Sequence, residues 1–140
     1  MRSLLLLAAL AGAHVASAAN WAVIVAGSKG YDNYRHQADA CHAYQVVSQG
    51  GVPKENIIMM MQDDVAGSTS NPFPGKLFNK PSTGPGRDVY AGCNIDYRGD
   101  IVTAQLFLDV IQGNAAAVEG KGNGKVLKST EKDHVFINFV

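Results

Sequence analysis

The chain has 140 residues, with 12 Lys+Arg balancing 12 Asp+Glu, 46% hydrophobic and 17% charged residues, and two cysteines. This is globular composition, which excludes a disordered, collagenous or coiled-coil chain. The absence of a basic excess argues against non-specific nucleic-acid binding, and two cysteines are too few for a disulfide-stapled miniprotein.

The N-terminus reads as an address rather than as fold. Arg2 precedes the apolar run Leu4 to Ala11, and Ala16-Ser17-Ala18 places small residues where a signal peptidase inspects them. Cleavage is expected after Ala18 or Ala19, which leaves about 122 residues entering the secretory route. The apolar run is too short for a membrane span, and no Asn-x-Ser/Thr sequon is present.

Trp21 to Ala26 is a continuous apolar run closed by Gly27, the pattern of a central parallel strand. Ser28 to Tyr34 reads as a turn. Ala40, Ala43, Tyr44 and Val47 then recur at helical spacing, and Gly50-Gly51 ends that helix. Ile57 to Met61 is a second buried strand, so the segment is a βαβ unit. Residues 63–100 hold all but one of the prolines and six glycines; this predicts a long surface excursion with at most a short strand at Val89 to Ala91. From Thr103, Ala104, Phe107, Leu108 and Ile111 predict a second amphipathic helix ending at Gly113. A flexible Gly/Lys loop follows at Gly120 to Lys125, then a buried strand at His134 to Val140. The expected class is α/β with a mostly parallel sheet. Three strands are few for such a sheet and the last would bare an apolar edge, so the chain is expected to be part of a larger domain.

Open parallel sheets place sites at the carboxyl ends of their strands. The first such end carries Ser28 to Gln37, where Asn33, Arg35 and His36 could recognise a small polar side chain. Arg35 and His36 could equally do no more than solvate a helix start. Ala26-Gly27-Ser28-Lys29-Gly30 is similar to a nucleophile elbow, but its first residue is Ala and no helix follows at once. The Gly120–Lys125 loop lacks the first Gly and the closing Ser/Thr of a phosphate loop. Cys41 and His42 are adjacent on a helix and point about 100° apart, so they are no nucleophile–base pair. Cys41 reads as a small core residue, and a bond to Cys93 stays open because the spacing supplies no geometry. Asp63-Asp64 reads as a pair of turn acceptors. Arg98-Gly99-Asp100 is explained by a polar turn.

Several blocks together go further. They are Trp21 to Gly30, Asn33-Tyr-Arg-His-Gln-Ala-Asp-Ala-Cys-His-Ala-Tyr44, Gly51 to Ile57, Met60 to Asp64, Asn71 to Gly75, Asp88 to Gly92, Asp96-Tyr97, Gly124 to Ser129 and Asp133 to Ile137. In this order they resemble the legumain (asparaginyl endopeptidase) family of cysteine proteases. The resemblance implies a caspase-like three-layer α/β fold, of which residues 19–140 would be an incomplete N-terminal portion. It implies cleavage after Asn, and less readily after Asp, in acidic lysosomes or vacuoles, or outside the cell. Asn33 would orient the catalytic histidine, and Arg35 and His36 would wall the pocket for the substrate asparagine. Substrates would be proteins or peptides and inhibitors of cystatin type, with no cofactor, metal, nucleic acid or membrane span.

One departure bears on activity. The family carries its catalytic histidine in an Asp-His-Gly directly after the strand corresponding to His134–Val140, and its nucleophile further on in a Glu-Ala-Cys. Neither motif is in this chain. His134 precedes the strand, and neither Cys41 nor Cys93 matches the nucleophile. The 140 residues alone are therefore expected to be inactive. A subunit like that of the glycosylphosphatidylinositol transamidase shares Asn-Tyr-Arg-His, but Gln37 to Ala43 and Asn71 to Gly75 favour the legumain type. A catalytically dead peptide-binding isoform is the reading from another class.

Overall fold

The computed structural model describes residues 18–80, 84 and 86–140. The leader expected over residues 1–18 lies outside these, apart from Ala18. The first apolar run forms β1 (Asn20–Val25) and the second forms β2 (Ile57–Met61), in parallel register with Ala22 opposite Ile57. Between them α1 (Tyr34–Gln49) follows a 3-10 turn at Tyr31–Asn33. Ala40 and Tyr44 of its expected face are buried, with Ala43 and Val47 partly so.

Side chains alternate across a strand, so each buried run feeds two cores. Ala22, Ile24, Ile57, Met59 and Met61 pack on one face with Cys41 and Tyr44 of α1. Val23, Val25, Ile58 and Met60 pack on the other with Leu106 and Val110 of α2 (Ala104–Ile111). Helices on both faces explain why these strands are apolar throughout rather than alternating. Thr103 starts α2 by accepting the Leu106 N–H at 3.1 Å.

The sheet has one more strand than the sequence predicts. Its order is β3-β2-β1-β4, where β3 is Tyr97–Arg98 and β4 is His134–Phe139, all parallel. The short strand expected at Val89 to Ala91 is a turn instead; an isolated bridge joins Phe78 to Asp88 nearby. Asp96 starts β3 by accepting the Met59 N–H at 2.8 Å, which lines the next residues up with β2. A two-residue strand has no periodicity to detect. The buried stripe of α2 also differs from expectation: Leu106 and Val110 are inside while Leu108 is exposed. Apolar residues fill more than one face of this short helix, so spacing alone admits two solutions.

The strand β4 forms where expected but is not buried. It lies at the border of the sheet, and Phe136 and Phe139 are 52% and 61% exposed. Phe107 of α2 leans on Phe139 edge-to-face, with centroids 5.7 Å apart.

The Gly/Lys loop, expected to be flexible, is tied down. The Lys125 ammonium sits 3.1 Å from the buried Asp96 carboxylate and donates to the Ile57 carbonyl at 2.8 Å. The Tyr97 hydroxyl donates to the Lys125 carbonyl at 2.6 Å. Gly122 is held at φ +49°, where an added Cβ would press on the Asp96 carbonyl oxygen and lie 2.7 Å from the Tyr97 ring. Gly122→Ala is therefore expected to destabilise the chain by about 2 kcal/mol or more, since left-handed backbone alone costs a non-glycine residue about 1–2 kcal/mol. Urea unfolding measures this, and a change under about 0.5 kcal/mol, the range of a neutral surface change, would refute the close approach.

Burial first, and then the Asp96 carboxylate, push the Tyr97 phenol up to about 12 from its ordinary 10. The folded chain thus holds the neutral phenol. Its contribution is whole below pH 10 and is lost as pH rises from 10 through about 12. Stability measured against pH should fall across that window, and Tyr97→Phe should remove this component of the fall.

Candidate active-site half

The carboxyl ends of β1 and β2 lie side by side, and the segments leaving them are linked. Asp64 accepts the Gly30 N–H at 2.8 Å and the Gln37 side-chain amide at 2.6 Å. One carboxylate so joins the loop after β1 to the first turn of α1. Gln37 is buried and its oxygen accepts the Val65 N–H at 3.3 Å, which closes the link.

Asn33, Arg35 and His36 all fall at this junction. Asn33 donates its amide N–H to the Lys29 carbonyl at 3.0 Å, leaving its oxygen as the end that can accept. His36 is half-buried, with Nδ1 2.6 Å from Ser28 Oγ. Arg35 is exposed, and among the described residues no carboxylate forms an ion pair with it. The three residues therefore lie in the 3-10 turn and the first turn of α1, next to the loop that leaves β1. A cleft of about 280 Å³ at this edge is lined by Ala26, Gly27, Ser28, Lys29, Gln62, Asp100 and Val102. Only Ser28 belongs both to this cleft and to the His36 contact.

Asp63 and Asp64 act as acceptors, as their position after a strand suggests. Asp63 has φ 61° and accepts the Tyr90 hydroxyl at 2.9 Å. Arg98 pairs with it at 3.0 Å. Burial, then the Asp63 hydrogen bond and charge, raise the Tyr90 phenol above its ordinary value. In Arg98-Gly99-Asp100, Arg98 ends β3 and Gly99 opens the 3-10 turn Gly99–Ile101, with Arg98 committed to Asp63 and Asp100 accepting the Gln62 amide at 3.2 Å. The elbow-like Ser28 is not on a strand-to-helix elbow, because a loop and the 3-10 turn separate β1 from α1.

Cys41 is buried, as a small core residue would be, but it is also bonded to Cys93, with Cα atoms 5.4 Å apart. The pairing left open by the sequence is thus formed. The chain holds two cysteines, and this bond takes both. No thiol remains at the edge where Asn33 and His36 lie.

The parallel α/β frame that sets Asn33, Arg35 and His36 at the start of α1 is matched from β1 onward: the model of the peptidase C13 family covers residues 20–140. The chain belongs to the peptidase C13 family. Legumain of Mus musculus is 58% identical over 120 residues, 86% of this chain and 27% of the relative. Legumain of Homo sapiens matches with the same identity and coverage. A vacuolar-processing enzyme beta-isozyme of Arabidopsis thaliana is 53% identical over 119 residues, 85% of this chain and 24% of the relative. The chain thus spans about a quarter of the length of these C13 relatives, and its caspase-like three-layer α/β frame is the part it shares with them.

Sequence reasoning missed the Ser28–His36 contact and the Asp64 link. Both bring together residues from separate segments, so no local pattern announces them. The acidic pair directly after a strand was the one available signal.

Proposed function

We propose that this chain forms the N-terminal part of a cysteine endopeptidase that cleaves peptide bonds after asparagine. The placement of Asn33, Arg35 and His36 at the start of α1, with Asn33 and His36 bonded to the loop that leaves β1, carries the reading. Similarity to proteins named legumain and vacuolar-processing enzyme supports it over a transamidase subunit.

The chemistry divides between two stretches of polypeptide. A thiolate attacks the carbonyl after Asn, and an imidazole passes the proton to the leaving amine. Both groups come from sequence beyond this chain, whose two sulfurs are spent on each other. Asn33 contributes an amide oxygen that can accept the N–H of such an imidazole and so orient the ring, the part played by the third member of a triad. Arg35 and His36 supply donors for the substrate side chain. A pocket built to bond an amide rejects apolar residues strongly, because its own polar groups would be left unpaired. The Cys41–Cys93 bond supports an oxidising route through the secretory pathway, in line with a leader at residues 1–18 and an acidic lysosome or vacuole as destination.

Two preparations test this division. The 140-residue chain should show no turnover of a fluorogenic Asn peptide. A chimera in which residues 20–140 replace the matching segment of mouse legumain should cleave it, and thiol alkylation should stop the cleavage. Thiol-sensitive turnover by the chain alone would overturn the division, and a folded chimera indifferent to Asn would overturn the specificity.

A further inference from the structure

We propose that Ser28 is a positioning residue, whose hydroxyl holds the His36 imidazole with Nε2–H presented to the carbonyl oxygen of a substrate side-chain amide. The inference deepens the asparagine-pocket reading and rests on it.

The contact is short and its two ends are fixed independently. Ser28 Oγ and His36 Nδ1 are 2.6 Å apart. On the serine side, Ala26 donates to the Met60 carbonyl at 2.9 Å and Gly27 to the Val140 carbonyl at 2.7 Å. Two residues beyond Ser28, the Gly30 N–H is held by Asp64. One residue beyond His36, Gln37 is held by the same carboxylate. Asn33 ties the intervening loop down through the Lys29 carbonyl. The loop and the helix therefore cannot drift apart without breaking the Asp64 link, and the hydroxyl keeps its station beside the ring.

A hydroxyl can donate to a bare ring nitrogen or accept from a protonated one. Donating to Nδ1 of a neutral imidazole, it leaves the ring proton on Nε2. Accepting from an imidazolium, it again leaves Nε2 protonated. A neutral ring protonated on Nδ1 would instead donate to the hydroxyl and leave Nε2 bare. With an asparagine side-chain oxygen at Nε2, only the Nε2–H form uses both contacts, so we assign the hydroxyl as the donor to Nδ1. Without the hydroxyl, the Nε2–H form loses the donor that satisfies Nδ1, and its advantage over the form that turns a lone pair towards the substrate oxygen shrinks. Ser28 also lines the 280 Å³ cleft, so a substrate entering there meets the residue that orients the ring.

The test is made in the chimera with an Asn peptide. Ser28→Ala is expected to raise KM about tenfold with kcat within about twofold, and Ser28→Thr, which keeps a hydroxyl, to restore KM. Ser28→Ala added to His36→Ala should cost nothing further, since the serine acts only through the ring. A Ser28→Ala enzyme with unchanged KM, beside a His36→Ala enzyme that is impaired, overturns the proposal and leaves the pocket reading intact. If the unsubstituted chimera folds but does not prefer Asn, the pocket reading fails instead. The positioning is then decided on the 140-residue chain by ring ¹⁵N shifts of His36: an Nε2–H tautomer that becomes mixed in Ser28→Ala supports it, and a tautomer that Ser28→Ala leaves unaltered overturns it.

Discussion

Arg35→Ala in the chimera is expected to lower kcat/KM on an Asn peptide by about 10- to 150-fold, because a hydrogen bond to a charged group is worth about 1.5–3 kcal/mol. The same change should leave folding stability within about 0.5 kcal/mol, the range for exposed positions away from special features. This separation follows from where the side chain lies. Arg35 is exposed in the first turn of α1 and forms no ion pair among the described residues. Truncating it removes little packing and strands no buried carboxylate. Arg35→Lys should recover little of the lost activity, since a point ammonium cannot reproduce the planar fork that meets an amide or carboxylate with two donors. Selectivity should fall along with rate: the ratio of Asn to Gln cleavage narrows if Arg35 helps to measure the depth of the pocket. Kinetics on matched Asn and Gln peptides, with urea unfolding of the same variants, check both halves. An Arg35→Ala enzyme with unchanged kcat/KM would show that the pocket lies elsewhere on this edge, and the cleft lined by Lys29, Gln62 and Asp100 would be the next place to look.

What could be read from residues alone follows the length scale of each signal. Runs such as Trp21 to Ala26 and Ile57 to Met61 are apolar over their whole length because helices cover both faces of the sheet, so they are visible without tertiary knowledge. The first helix is visible because Ala40, Ala43, Tyr44 and Val47 repeat at its own period. Tyr97–Arg98 is not, since two residues have no period and their strand is set by Asp96, which grips the Met59 backbone and aligns them with Met60 and Met61. The Gly120–Lys125 loop misleads in the opposite direction: its composition is that of a mobile turn, while Lys125 and Gly122 lock it against Asp96 and Tyr97. At the site the same division holds. Asn33, Arg35 and His36 are legible as polar groups just past a strand end. The contacts that give them direction run from Ser28 to His36 and from Asp64 to Gly30 and Gln37. Those contacts cross a loop or join separate elements, and only the folded backbone sets their distances.

The Cys41–Cys93 bond illustrates the same limit and carries the largest expected effect on stability. It closes a loop across a sequence separation of 52 residues, joining α1 to the turn that follows Val89. Chain-entropy estimates place the stabilisation for a loop of that size at about 4 kcal/mol. The paired change Cys41→Ala with Cys93→Ala should therefore lower the unfolding free energy by about 3–4 kcal/mol, a large share of the ~5–15 kcal/mol of an ordinary domain. The native turn should nevertheless stay where it is. The Gln45 side chain, itself buried, donates to the Val89 carbonyl at 2.8 Å and the Ala91 carbonyl at 3.2 Å, which pins the same segment to the same helix without any sulfur. With the native contacts duplicated in this way, the bond acts chiefly by restricting the unfolded chain. Its loss should then slow refolding more than it speeds unfolding. Urea equilibrium and stopped-flow measurements on the oxidised chain and the double variant separate the two contributions. A loss that falls wholly on the unfolding rate would mean that Gln45 does not hold the turn, and a loss below about 1 kcal/mol would place the bond outside the usual range for native disulfides.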